Sequence, residues 1–224
     1  MTTPCVEELH LLRQIPYLAV MDDAGLHSLV RSAFQRSYPA GALILVEGDP
    51  CPNLLVVQSG RVKASLLSPG GREHILDIYG PGEAINEISV FDNSPSVTTV
   101  QALEETHILV IDNAVFQRSL REYPEMTRAA LTTLAKRCRQ LVSTIADLSL
   151  RTVTARLAGL LLDCAANPRE ATLSRGQMAA RLGTVREVVS RSLRDLERLG
   201  LIRIERDQIV LLKPDELARL AERQ

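Results

Sequence analysis

From Glu125 to Leu148 the chain runs without a glycine or a proline. Leu131, Cys138 and Ile145 recur every seven residues, and Leu134, Leu141 and Leu148 do the same three positions on. These are a and d positions over three heptads, the pattern of a two-stranded coiled coil. The helix they predict is roughly 36 Å long at about 1.5 Å per residue, longer than a small domain is wide. Its flanks are charged or small, at Lys136, Arg137, Arg139, Gln140, Ser143 and Thr144, so the apolar stripe is narrow. A helix packed into its own domain carries a broader apolar face. The stretch therefore predicts a parallel homodimer helix, with Leu131, Leu134, Cys138, Leu141, Ile145 and Leu148 as the interface.

The chain before this helix has a different texture. Residues 6–37 read as short helices, Val6–Ile15 and Ala24–Ala33, the second capped by Asp22 or Asp23. From Tyr38 to about Ile111, short runs rich in Val, Ile and Leu follow one another: Leu43–Val46, Leu54–Gln58, Arg61–Leu67, His74–Tyr79, Val97–Leu103 and His107–Ile111. Glycines at 41, 48, 60, 70, 71, 80 and 82 punctuate them, and Ser68-Pro69-Gly70-Gly71 is a hairpin turn. Regular short strands with turns between them predict a β-sandwich or jelly roll. The rhythm breaks between Gly80 and Val100, where Glu83–Ile88 is expected to form a helical turn whose backbone N–H groups face an anion. Asn113–Glu122 predicts one more short helix, closed at Tyr123-Pro124.

After the long helix, Arg151–Ala166 predicts another, and Asn167-Pro168-Arg169-Glu170 a loop. Leu173–Arg203 then reads as two helices joined at Gly183. Ser174 with Gln177, and Thr184 with Glu187, both have capping-box spacing, and Gly200 suits the end of the second helix. On a helical wheel Arg186, Glu187, Ser190, Arg191, Arg194, Glu197 and Arg198 fall on one arc. Val185, Val188, Val189, Leu193, Leu196 and Leu199 fall opposite. The apolar arc can pack while the arginine-rich arc stays free. Arginine grips guanine O6 and N7 with two hydrogen bonds, and glutamate accepts from cytosine N4. The expectation is a helix-turn-helix whose second helix, 185–199, enters the major groove of double-stranded DNA. A solvated amphipathic hairpin is the plainer alternative. Leu201–Ile204 and Gln208–Leu212 predict a wing, and Asp215–Arg223 a last helix behind Pro214.

Charge supports that division. The net charge is −1, yet residues 1–150 carry 12 Lys+Arg against 17 Asp+Glu, and residues 151–224 carry 14 against 10. A basic end on an acidic body suits nucleic-acid binding by one end. Cys5, Cys51, Cys138 and Cys164 lie far apart with no CxxC pair, which argues against a zinc knuckle and a cluster loop. The start of the chain does not read as a signal peptide, and no apolar run reaches about 18 residues. A cytoplasmic, reducing location with no membrane partner is expected. No nucleophile elbow, P-loop or HExxH occurs, so no enzyme and no catalytic residues are expected.

Four motifs carry a resemblance over nearly the whole chain: Tyr38-Pro39-Ala40-Gly41 with Glu47-Gly48-Asp49, Gln58-Ser59-Gly60-Arg61-Val62, Gly80-Pro81-Gly82-Glu83, and Gly183–Arg191. Together they resemble the cyclic-AMP receptor protein / fumarate–nitrate regulator family of bacterial transcription factors. The resemblance implies an α+β chain: a cyclic-nucleotide-binding-like β jelly-roll effector domain in residues 1–123 (β-roll about 38–111), a dimerisation helix in 124–149, and a winged helix-turn-helix in 150–224. It implies a homodimer that binds double-stranded DNA and RNA polymerase and reads a palindrome with TGA half-sites. Glu187 and Arg191 match the pair that reads the shared core. Arg186 matches one branch of the family and Ser190 the other, which leaves TGTGA-like and TTGAT-like half-sites both open. Arg194, Thr184 and Ser174 complete the expected DNA-binding set.

For the effector, the resemblance points to Asn86, Glu87, Ile88, Ser96, Val97 and Thr98. The family's cyclic-nucleotide site has a Gly-Glu pair where Asn86-Glu87 stands, and an arginine pair where Ser96-Val97 stands. No arginine or lysine occurs between Arg72 and Arg118, and a buried phosphate without a cation is costly. A cyclic nucleotide is therefore not expected. An iron–sulfur cluster would need more N-terminal cysteines than Cys5 and Cys51. A haem would need an axial ligand such as His74, His10, His27 or His107, each of which also reads as an ordinary surface or core residue. A small organic anion held near Ile85–Ile88 and Thr98 or Thr99 stays open, and the cofactor is unassigned. The competing class is a ligand-binding or protein-interaction module without sequence-specific DNA binding.

Overall fold

The computed structural model of the protein describes residues 6–71, 73–166, 173–205 and 208–222. Cys5 and the loop expected at Asn167–Glu170 lie outside them. The chain divides into two units, Met1–Leu66 with Leu76–Cys138, and Leu67–Ile75 with Arg139–Gln224.

The first unit opens with α1 (Val6–Leu12) and α2 (Asp23–Ser32). Asp22 caps α2 by accepting from Gly25 N at 2.8 Å. Eight strands follow: β1 (Phe34–Tyr38), β2 (Leu43–Leu45), β3 (Leu54–Ser59), β4 (Val62–Leu67), β5 (Glu73–Tyr79), β6 (Ala84–Ile85), β7 (Thr99–Ala102) and β8 (Thr106–Ile111). They make two four-stranded sheets, ordered β1-β8-β3-β6 and β2-β7-β4-β5. The inner faces of Leu55, Val57, Val62, Ala64, Val100, Ile108 and Val110 fill the space between them. A second core, with Leu12, Leu18, Leu26, Leu54, Val56, Leu109, Phe116 and Met126, packs the helices on the other face of β3 and β8. β3 and β8 are therefore covered on both faces, which is why their apolar residues run on rather than alternate.

Two strands differ from the sequence expectation. Phe34–Tyr38 is a strand, where helical structure was expected to run to residue 37, and it is almost wholly exposed at the edge of its sheet. An edge strand with little burial has no apolar alternation to betray it. Ala84–Ile85 is also a strand, pairing with Leu55 and Val56, where a helical turn over Glu83–Ile88 was expected. The helix begins later, as α3 (Glu87–Asp92), with Asn86 in a left-handed conformation (φ 66°) before it. At Gly60 (φ +80°) an added Cβ would collide with the Glu105 carbonyl and lie 2.8 Å from Thr106 Cα, so the β3–β4 turn needs glycine.

α4 (Asn113–Glu122) follows, capped by Asp112, whose side chain accepts from Val115 N. α5 (Pro124–Leu150) is the long helix, opened by proline at its first position, where the missing N–H costs nothing. Only Met126 and Ala130 are buried in it. From Leu131 on the apolar stripe lies open: Leu131, Cys138, Leu141, Ile145 and Leu148 are exposed and Leu134 is half-buried.

The second unit contains α6 (Val153–Ala166), α7 (Arg175–Arg181), α8 (Arg186–Arg198), the hairpin β9 (Ile202–Glu205) with β10 (Gln208–Leu211), and α9 (Pro214–Ala221). Leu157, Leu161, Met178, Leu182, Val189, Leu193, Leu196, Ile202 and Leu217 form its core. No described helix is long and apolar enough to cross a membrane.

Candidate nucleic-acid interface

The turn between α7 and α8 sets how α8 is presented. Gly183 takes φ +61°, Thr184 N donates to Ala179 O at 2.9 Å, and Gly183 N approaches Ala180 O at 3.4 Å. That is the paired closure of a helix end by a left-handed residue. Arg156 Nη1 donates to Leu182 O at 2.6 Å and ties the same turn to α6. Ser192, buried on α8, shares a 3.0 Å hydrogen bond with Thr154 on α6. α8 is thus fixed by three apolar anchors, Val189, Leu193 and Leu196, and by one polar one.

The first capping box is present: Gln177 N donates to Ser174 Oγ, and Ser174 N to Gln177 Oε1. The second is not. The closure at Gly183 takes up the Thr184 N–H, the chain stays extended at Val185, and α8 begins at Arg186 with no side-chain cap. Thr184 is half-buried just before the helix, and Glu187 is released from the capping role. Val185 and Leu199, assigned to the apolar arc, are 38% and 58% exposed, because they lie beyond the two ends of the helix.

The polar arc carries Arg186, Glu187, Arg191 and Arg194, all exposed, with half-buried Ser190 among them. The side chains of Arg186, Glu187 and Arg191 make no hydrogen bond or ion pair with a described residue. Arg194 Nε donates back to Ser190 O at 3.2 Å, and Arg198 pairs with Asp195. Glu197, on the same arc, turns to the hairpin and accepts from Ile204 N at 2.9 Å, so it braces the wing. A cavity of about 450 Å³ beside α8 brings together Ser174, Arg175 and Arg186. Arg175 was not among the expected site residues; its position one residue past the Ser174 cap was the available sign.

The effector residues do not gather as expected. Ser96 is buried and turns its hydroxyl to Thr98 O, while Ile88 and Val97 are 41% and 46% exposed. Asn86 donates to Cys51 O at 2.8 Å. Thr99 Oγ1 accepts from Glu47 N. Glu87 is only 4% exposed, and its partner comes from far along the chain. Arg137 Nη2 of α5 lies 2.6 Å from Glu87 Oε2, and Arg137 Nη1 donates to the Tyr79 hydroxyl at 3.1 Å. The ion pair is close but poorly aligned: neither Glu87 Oε2 nor the buried Tyr17 hydroxyl beside it has a hydrogen bond of good geometry. Burial pushes the Glu87 carboxyl above the ordinary carboxylate range, with Arg137 pulling the other way. Tyr17 is held well above its ordinary value by burial and by the Glu87 charge. Nothing near Glu87 in sequence announces Arg137, 50 residues on, between two seam positions.

The histidines are dispersed. His74 Nδ1 donates to Ala180 O at 2.8 Å, and His107 shares a 2.8 Å hydrogen bond with Ser37. The buried His27 Nδ1 has no hydrogen-bond partner. Among the described residues no group of three or more His, Cys, Asp or Glu is placed to hold a metal ion.

Two family models match the chain, a cyclic nucleotide-binding domain over residues 35–123 and a Crp-like helix-turn-helix domain over 155–220. A cyclic AMP receptor protein of Thermus thermophilus is 31% identical over 179 residues, covering 79% of this chain and 83% of its own length. A CRP-like cAMP-activated global transcriptional regulator of Mycobacterium tuberculosis is 28% identical over 212 residues, covering 90% and 94%. Among solved structures, a crp/fnr-family regulator from Eubacterium rectale superposes with a TM-score of 0.75 at 22% identity, over 93% of this chain and 99% of that one. At that identity the likeness is one of fold.

Proposed function

The chain belongs to the cyclic-AMP receptor protein / fumarate–nitrate regulator family of transcription regulators, and on that premise we propose that it acts as a homodimer, reading a palindromic, TGA-containing DNA site with α8. The observation that carries the reading is the state of the polar arc: Arg186, Glu187 and Arg191 are exposed on a helix anchored on its other side and make no hydrogen bond or ion pair with a described residue. Arg186 and Arg191 suit guanine edges and Glu187 suits cytosine N4. Ser174, Arg175 and Arg194 flank them and suit phosphates, which position the helix without reading sequence. Thr184, at the helix start, completes the contact set.

The uncovered α5 stripe supports the dimer. Two recognition helices related by a two-fold axis match half-sites about one helical turn apart. Selection from a random duplex pool is expected to return an inverted repeat, with affinity that falls steeply with salt. Ile145→Glu, at an exposed seam position, is expected to give a monomer by light scattering and to lose binding to that repeat. Selected sites without inverted symmetry, or a monomer that binds as tightly as the parent, would remove the dimer from the reading.

Relatives are named for cyclic AMP, but this roll does not suit a phosphodiester. The stretch between Arg72 and Arg118 holds no arginine or lysine, and Arg137 is already set against Glu87. The roll is therefore read as responding to a ligand that is not a cyclic nucleotide. Titration calorimetry with cyclic AMP is expected to show no saturable heat; micromolar binding would overturn this.

A further inference from the structure

The second unit contains one segment from far earlier in the chain, Leu67–Ile75, at the tip of the β4–β5 hairpin. Its His74 meets the α7–α8 turn at a specific atom. In the closure of α7, Gly183 N reaches the Ala180 carbonyl only at 3.4 Å, whereas Thr184 N reaches Ala179 O at 2.9 Å. The weakly served carbonyl is the one that His74 Nδ1 takes, at 2.8 Å. A carbonyl can only accept, so Nδ1 carries the proton. The ring also lies over Gly183: a Cβ there would sit 3.4 Å from His74 Nδ1 and 3.5 Å from Leu148 Cδ2. The turn is thus held at Ala180 O by His74 and at Leu182 O by Arg156. Arg186 follows Gly183 by three residues.

We infer that His74 is a positioning residue for the recognition helix: through Ala180 O it fixes the turn that aims Arg186, Glu187 and Arg191, and so it sharpens the choice of DNA sequence. The role is one of aim, because His74 lies outside the polar arc, and Arg186, Glu187 and Arg191 stay exposed while the hydrogen bond is made. Phosphate contacts tolerate small errors of aim, whereas paired hydrogen bonds to a base edge do not. The effect therefore falls on cognate DNA and spares random DNA. The inference rests on the reading of α8 as the base-reading element.

The test compares the full-length chain with His74→Ala and His74→Asn on two duplexes, the selected inverted repeat and a scrambled sequence, by fluorescence anisotropy. Asn places a donor nitrogen as many bonds from the backbone as Nδ1. His74→Ala is expected to lose about tenfold on the selected duplex, the scale of one well-made hydrogen bond, and little on the scrambled one. His74→Asn recovers most of the loss, and the melting temperature of both variants stays near that of the parent. Parental affinity of His74→Ala for the selected duplex overturns the inference. So does an equal loss on both duplexes, or a loss that Asn leaves unrepaired, since the ring is then only packing. A parent chain that fails to distinguish the two duplexes instead sinks the base-reading role of α8, and the inference with it.

Discussion

Arg191→Ala is expected to weaken binding to the selected repeat by about 1–3 kcal/mol per half-site, which is roughly 5- to 150-fold and squares across a symmetric dimer. The size follows from what the side chain does and does not touch. Arg191 is exposed and makes no hydrogen bond or ion pair with a described residue, so its removal breaks neither. The loss falls on the DNA, where a planar fork of donors has no equal substitute. Two readouts separate base reading from charge. A base contact relaxes the preference at one position of the motif, and the variant still binds random duplex at low salt. A phosphate contact leaves the motif intact and lowers the salt dependence by about one ion per half-site. Arg194→Ala provides the contrast, since Arg194 already donates to Ser190 O and is expected to show the phosphate pattern. A selection with Arg191→Ala that returns the parental motif unchanged would take Arg191 out of the reading set.

Arg137→Ala is expected to destabilise the first unit, and more at pH 8 than at pH 5. Glu87 is 4% exposed and its carboxyl titrates above the ordinary value of 4.5, because burial outweighs the pull of Arg137. A raised carboxyl pKa means that the folded chain holds the proton more tightly than the unfolded chain. The stability this contributes is fully present below the unfolded pKa and is lost as pH rises through the folded one. Without Arg137 the folded value climbs further, so the window of loss widens toward neutrality. Stranding a fully buried charge costs roughly 3–5 kcal/mol. Arg137 keeps 34% of its side chain in solvent, so about 1–3 kcal/mol is the fitting scale here. Glu87→Gln placed on top of Arg137→Ala is expected to recover most of the loss at pH 8, since no charge is then stranded. Melting curves at the two pH values decide it: a loss of equal size at both would mean that Arg137 contributes packing, through its stem and its place over the Tyr79 ring, and not charge.

The parts of this molecule that follow from local chemistry were readable from residues alone. The Ser174 capping box, the Ser68–Gly71 turn, whose Gly71 N donates to Ser68 O, and the order of strands and helices are all set within a few residues. Long-range contacts were not. Thr184 and Glu187 have the spacing of a capping box, but the closure of α7 at Gly183 takes the Thr184 amide, so one local motif displaced another over the same residue. β1 escaped because an exposed edge carries no pattern. The largest omission was Arg137, which stands where a dimer helix wants a charged flank and also meets a carboxylate 50 residues earlier. The same residue type serves both roles, and only the fold says which. Of the expected effector set, the structure leaves Glu87 buried and paired and Ile88 and Val97 partly open, so that set does not converge on one point.

The bare stripe on α5 has a consequence for dosage. Leu131, Leu141 and Ile145 are each more than half exposed in a single chain, so a lone chain carries an apolar surface that the proposed pairing with a second copy would cover. Any equilibrium of that kind has a concentration at which half the chains are paired. Below it, occupancy of a two-fold operator climbs with the square of the number of chains, so doubling synthesis quadruples the bound fraction. Above it the response flattens to first order. A cell could then tune such a regulator by moving its abundance across that crossover, and a fusion that doubles the local supply of α5 would behave as a gain-of-function allele without any change at α8.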